Sequence, residues 1–176
     1  MKKAFTLLEV LISITIFMIL LIFLYKTLDQ TKHSNKQFIN HSQTLKYQNE
    51  LNDIFIEDIL ESISKIEIKI DNDENSILRF RSSNSYHDSF FNNITYMISS
   101  NNKLLRIESK DKFNFGETPL SFFDNAFIDI LLEDIEFFEV KENIINTNKN
   151  YVFIIKQKDK ERIVFNTYQF NNIKEE

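Results

Sequence analysis

The sequence predicts an α+β chain: one long N-terminal helix, membrane-spanning in its first half and amphipathic in its second, packed on an antiparallel β-sheet. Three observations carry this. Phe5 to Tyr25 is a run of 21 residues, almost wholly apolar and free of Gly and Pro, which as a helix rising ~1.5 Å per residue crosses a ~30 Å hydrocarbon core. Further on, Leu51, Phe55, Ile59 and Ile63 recur at every fourth residue, the stripe of a helix that covers something apolar. At Lys65 the period drops abruptly to two. Strands and helices do not alternate as in a nucleotide-binding βαβ fold, and no internal repeat is visible.

Element by element, Lys2 and Lys3 precede the apolar run and place its N-terminal end in the cytoplasm, because positive charge stays on that side. Lys26 to Thr44 is polar, with Leu28, Phe38 and Ile39 as its apolar residues; nothing breaks it, so the helix continues as an exposed stalk. From Leu51 the stripe, widened by Ile54, Ile56 and Leu60, carries the helix to residue 64. Lys65-Ile66-Glu67-Ile68-Lys69-Ile70 alternates strictly, as a half-buried strand does. Asp71-Asn72-Asp73-Glu74-Asn75 is a turn, and Ile77 to Arg81 returns as the partner strand. Ser82 to Asn93 reads as a loop. Ile94, Tyr96 and Ile98 pair across Ser99 to Asn102 with Leu105 and Ile107. Thr118-Pro119 has the chemistry of a helix start, with Thr as cap and Pro first. Leu120 to Leu132 then reads as a short helix or as a buried strand running into Ile135 to Val140. Asn143 to Asn150 is expected as a loop, and Tyr151 to Gln157 with Arg162 to Tyr168 as a final hairpin. The division is thus residues 1–4, ahead of the apolar run; 5–25, a membrane helix; 26–64, its stalk and amphipathic continuation; and 65–176, a sheet domain of about five to seven strands.

Bulk composition narrows the classes. A chain of 176 residues without Cys is read as one domain held by packing alone, with no disulfide framework and no cysteine to carry lipid. Net charge is -5; without Lys2 and Lys3, 19 basic residues face 26 acidic ones, or -7. The basic residues are interleaved with acids, which argues against direct nucleic-acid binding through a basic face. With one Gly and one Pro against 20 Asn, the turns fall to Asn, Asp and Ser, which tolerate left-handed backbone.

One residue in the first run is out of place. Glu9 sits four positions inside it, where an ionisable group is expensive and marks function. A cleaved secretory signal has a shorter apolar stretch and a small-x-small cleavage site, whereas this run ends in Leu24-Tyr25-Lys26-Thr27. A plain anchor fits the length and has no use for Glu9. Lys2-Lys3-Ala4 followed by Phe5-Thr6-Leu7-Leu8-Glu9-Val10-Leu11-Ile12 resembles the leader of type IV prepilins and type II secretion pseudopilins. The resemblance covers residues 2 to 30. It implies that prepilin peptidase, a membrane aspartyl peptidase, cuts between Ala4 and Phe5 on the cytoplasmic side. It implies that Phe5 is then N-methylated, and that Glu9, fifth from Phe5, acts in assembly with other subunits through the N-terminal helix. The family usually has Gly before the cut, where this chain has Ala4, also small. Ile16-Phe17, Tyr25-Lys26-Thr27-Leu28 and Leu51-x-x-x-Phe55-x-x-Asp58-Ile59 are further similar to the J-type minor pseudopilins.

No catalytic or metal-binding constellation emerges. His33 and His41 are eight apart, not the three or four that one helix face requires; with His87 they read as solvated surface. Asp71 to Asn75 lacks the central Gly and distal Glu of a calcium loop. Glu133, Asp134 and Glu136 read as a solvated face, and no Ser-His-Asp or Cys-His set is available. The chain is therefore expected to be a non-enzymatic subunit without cofactor or metal. Its anticipated place is the inner membrane, in a single pass with a periplasmic C-terminal domain. There it joins or primes a short filament for type II secretion, a type IV pilus or DNA uptake. The competing reading is a bitopic inner-membrane protein that never polymerises and whose periplasmic domain binds a ligand.

Overall fold

The computed structural model describes residues 6–116, 118–145 and 148–169. The chain divides into two compact units after Tyr47. Helix α1 (Leu7–Leu60) contributes to both.

In the first unit α1 stands alone. Every side chain from Leu7 to Leu20 and from Ile22 to Tyr47 is exposed, with Leu7 at 86% and Phe17 at 59%. This segment is long and apolar enough to cross a membrane. Its apolar part is hydrophobic all round, the pattern of a helix whose surroundings are lipid or other helices. Residues 26–44 remain helical and exposed, as the polar stalk predicts. Thr15, Thr27, Thr31 and Thr44 turn their hydroxyls back onto carbonyls three or four residues earlier, so these polar groups do not disturb the helix surface.

The second unit begins with the last turns of α1, whose buried residues are Leu51, Phe55, Asp58 and Ile59. The helix stops at Leu60 rather than at residue 64. The Ile63 N–H bonds the Arg81 carbonyl at 2.8 Å, so sheet pairing wins over continuation of the helix, and Ile63 is left exposed. Among the described residues eight strands follow: β1 (Glu67–Ile70), β2 (Ser76–Arg81), β3 (Asn93–Ile98), β4 (Leu104–Ser109), β5 (Ala126–Leu132), β6 (Ile135–Ile145), β7 (Asn148–Gln157) and β8 (Ile163–Gln169). They form two antiparallel meanders, a five-stranded sheet β1-β2-β3-β4-β5 and a three-stranded sheet β6-β7-β8. Two side chains join them: the Asn75 Oδ1 accepts the Phe138 N–H at 3.0 Å and the Ser76 Oγ accepts the Val140 N–H at 2.9 Å. The edge of β6 is thereby satisfied without a backbone ladder to β2.

The core lies between α1 and both sheets. Leu78, Phe80, Ile94, Tyr96 and Leu104 come from the first sheet, and Phe138, Tyr151, Phe153 and Ile155 from the second. Phe55 sits among them, with ring centroids 4.5 Å from Tyr96, 4.6 Å from Phe153, 5.1 Å from Phe165 and 6.4 Å from Phe138. The long helix, its amphipathic end and the antiparallel sheets are the α+β fold the sequence predicts.

Several local readings change. The segment 120–132 is neither all helix nor all strand: α2 (Leu120–Asp124) is one turn, and β5 follows directly. Pro119, not Thr118, occupies the N-cap, and the Thr118 hydroxyl bonds the Asn114 carbonyl at 2.6 Å. Of the expected loop 143–150, residues 143–145 and 148–150 are strand, because β6 runs to Ile145 and β7 begins at Asn148, and residues 146–147 lie outside the described residues. Exposed Lys141, Glu142 and Asn143 carry no buried alternation to read; their backbone pairing makes the strand. Among the described residues the left-handed turn positions are Glu74, Asn102, Asp134 and Asp159, three of them the Asn and Asp that a chain short of Gly must use.

Candidate functional site

The N-terminal segment and the buried polar network of the sheet unit are the two places where charge is placed against expectation. At the first, Thr6 immediately precedes α1. The Glu9 Oε2 accepts the Thr6 N–H at 3.1 Å and the Thr6 hydroxyl at 3.2 Å, and the Glu9 N–H donates to the Thr6 Oγ1 at 3.3 Å. This is a reciprocal capping box. It satisfies two backbone donors that a helix start leaves open and sets a negative charge at the positive end of the helix dipole. The signal was legible as Thr6-Leu7-Leu8-Glu9, and reading Glu9 as an isolated charge missed it. Lys2, Lys3, Ala4 and Phe5 lie outside the described residues.

At the second, Asp58 projects from the apolar stripe of α1 toward β3 and β4. Arg106 grips it through two bonds, Nε to Oδ2 at 2.7 Å and Nη2 to Oδ1 at 2.9 Å. The Tyr96 hydroxyl donates to the same Oδ2, and the Asn84 amide to Oδ1 at 2.9 Å. Arg106 also donates to the Glu108 Oε1. Both Arg106 and Asp58 are 0% exposed. Glu108 in turn collects the loop between β2 and β3: it accepts the Tyr86 N–H at 2.7 Å, the Ser85 hydroxyl at 3.0 Å and the His87 N–H at 3.1 Å. The Arg106 guanidinium stacks on the Tyr86 ring at 4.1 Å.

Burial works against every charge here, and the partners answer it. Burial pushes the Asp58 carboxyl up while its donors pull it down. Burial and the Asp58 charge push the Tyr96 phenol well up. Glu108 is also raised by burial, but the Tyr86 N–H and Arg106 outweigh this and hold it below the usual carboxylate range. Each oxygen of Asp58 and Glu108 is taken by donors within the unit. Chemically the arrangement fixes α1, β4 and the loop relative to one another.

The remaining sequence candidates are scattered. His33 and His41 are exposed on α1. His87 is exposed as well, where it stacks on Phe127 with centroids 4.5 Å apart and hydrogen-bonds Asp129 at 3.0 Å. Asp71 closes the β1–β2 turn, its Oδ1 accepting the N–H groups of Asp73 and Asn75 at 2.9 and 2.8 Å. Glu133, Asp134 and Glu136 are exposed, with Glu133 bonded to Lys103 at 2.6 Å. Among the described residues no group of three or more His, Asp or Glu side chains could hold a metal ion. The Asp58–Arg106 pair could have been suspected from an acid on an apolar helix stripe and from Arg106 standing between Leu104 and Glu108 on one strand face.

Residues 1–25 match the family model of the prokaryotic N-terminal methylation motif. The N-terminal segment is therefore of the prepilin type, which implies processing by prepilin peptidase, pilin-type partners and a membrane-anchored helix. No curated protein and no solved structure matches the chain.

Proposed function

We propose that this chain is a minor pilin-like structural subunit, without enzymatic activity, that joins or primes a short filament. In this reading prepilin peptidase removes residues 1–4 between Ala4 and Phe5, and Phe5 is N-methylated. Lys2 and Lys3 hold the N terminus in the cytoplasm during insertion, residues 5–25 cross the inner membrane, 26–64 continue the helix, and the sheet domain from 65 onward is periplasmic. The filament serves type II secretion, a type IV pilus or DNA uptake, and the J-type minor pseudopilins are the members that the helix resembles. Nucleic acid is not a direct partner, because basic and acidic residues are interleaved.

The observation that carries this is the coincidence of the methylation motif with a helix whose motif-bearing segment is apolar and exposed on all sides. A helix of that surface has lipid and neighbouring helices as its stable surroundings, and a filament core is a bundle of such helices. Intact-mass analysis of the protein from its own host tests it: the expected species begins at Phe5 and carries one added methyl group. Retention of Met1 to Ala4, or cleavage beyond Tyr25, would overturn the reading.

A further inference from the structure

On the face of the five-stranded sheet turned away from α1, a cavity of about 190 Å³ opens beside Lys112 and Phe113. Its charge is unlike that of the chain. Among the described residues, Lys65, Arg79, Arg81 and Lys112 line it with one acid, Glu67, in a protein whose net charge is -5. Glu67 is shared, its Oε2 with Arg79 and its Oε1 with Lys112, both at 2.6 Å. One carboxylate thus holds two cations at the rim and leaves one of their two charges uncompensated. Arg79 is further fixed by stacking on Phe115 at 3.9 Å and by donating to the Phe113 carbonyl. Arg81 is exposed and has no carboxylate partner among the described residues.

Beneath these cations lies an unexplained polar atom. Thr95 also lines the cavity. It is 0% exposed, and its hydroxyl has no hydrogen-bond partner. A buried hydroxyl without a partner is costly and uncommon. Register places Thr95 directly across from Arg79 and Asn93 directly across from Arg81, so the Thr95 hydroxyl and the two arginines belong to neighbouring positions of adjacent strands.

We propose that this cavity is an oxyanion site that takes a phosphate group. A phosphate carries up to two negative charges and three acceptor oxygens. It can therefore engage Arg81, the Arg79–Lys112 pair and the Thr95 hydroxyl together. A carboxylate brings one charge and two oxygens and leaves the site under-neutralised. The site is independent of the pilin-like reading, since none of its residues lies in the N-terminal segment.

The test is isothermal titration of the full chain in an uncharged detergent with inorganic phosphate, glycerol phosphate and acetate. Saturable one-to-one binding of phosphate is expected, weakened about tenfold by Thr95→Val and at least as much by Arg81→Gln, the scale of a lost hydrogen bond to a charged group. Both variants should melt no lower than the parent, and Lys158→Gln, on the remote β7–β8 turn, should bind as the parent does. Glycerol phosphate binding as well as inorganic phosphate assigns the site to a phosphate monoester; binding of inorganic phosphate alone assigns it to the free ion. No saturable binding, equal binding by Thr95→Val and Arg81→Gln, or acetate binding as tightly as phosphate overturns the proposal.

Discussion

At the scale of single residues, the two misplaced charges have different needs. Glu9 already receives both donors of Thr6, which are neutral; what a carboxylate in a membrane still lacks is a counter-charge. Cleavage before Phe5 would create an ammonium group four residues upstream, on this chain and on every neighbouring copy. Glu9→Val is therefore expected to insert and be processed normally but to fail to crosslink with partner subunits in the membrane; full crosslinking by that variant would remove Glu9 from the assembly mechanism. Asp58 has its counter-charge in place. Removing it by Arg106→Met strands a buried carboxylate and is expected to cost about 3–5 kcal/mol in denaturant unfolding. Replacing both, Asp58→Leu with Arg106→Met, should recover part of that loss. Glu108 sets the acid limit of the loop it holds. Its folded pKa lies below the unfolded value, so its contribution is complete above about pH 4.3 and is lost as pH falls through the folded value. Amide protection at Tyr86 and His87, taken relative to the intrinsic exchange rate at each pH, should fall over that descent, while that of distant amides of β7 should not. In Glu108→Gln the lower protection should already be present at pH 7.

At the scale of elements, the helix end does the work of holding two sheets. Phe55 touches aromatic rings from both, so Phe55→Ala is expected to cost about 3–5 kcal/mol and to loosen both sheets in one transition rather than one alone, as amide exchange on β3 and β7 would report. What was legible follows from periodicity. The stripe Leu51, Phe55 and Ile59 and the alternation of β2 each have one buried face, and a buried face writes its period into the sequence. The distal β6–β7 hairpin has none: Lys141 to Ile144 are exposed, and backbone pairing leaves no mark on side-chain polarity. Segment 120–132 was ambiguous because β5 alternates little; Phe127, Ile128 and Ile130 are all exposed on an edge strand. The division into two sheets was illegible for a different reason, since it rests on Asn75 and Ser76 accepting from β6 across more than sixty residues. Of the candidate sites, the leader was readable as a motif. Arg106 and Thr95 were not, because burial of a polar residue is decided by its neighbours rather than by its own type.

At the scale of the molecule, the second unit contains its own core, drawn from α1 and both sheets, and is free of cysteine. A chain starting at Gln30 is accordingly expected to be soluble and monomeric by light scattering and to melt cooperatively. Its melting temperature should be unchanged by a chelator; a chelator-sensitive transition would point back to the acidic turn Asp71 to Asn75 as a cation loop.

The strand that comes last among the described residues returns to where the helix ends. Gln169 on β8 donates its amide to the Ser62 hydroxyl at 2.9 Å and to the Ser64 carbonyl at 3.1 Å, across 107 residues of sequence. Ser62 is itself tied to the final turn of α1 through the Ile59 carbonyl at 2.6 Å. In mechanical terms, a pull arriving along the helix does not peel the sheet unit open from β1. It divides at this joint, one branch entering the first sheet through Ile63 and Arg81 and the other entering the second through Gln169. Both sheets are loaded together, and the tension needed to unfold either is raised by the other.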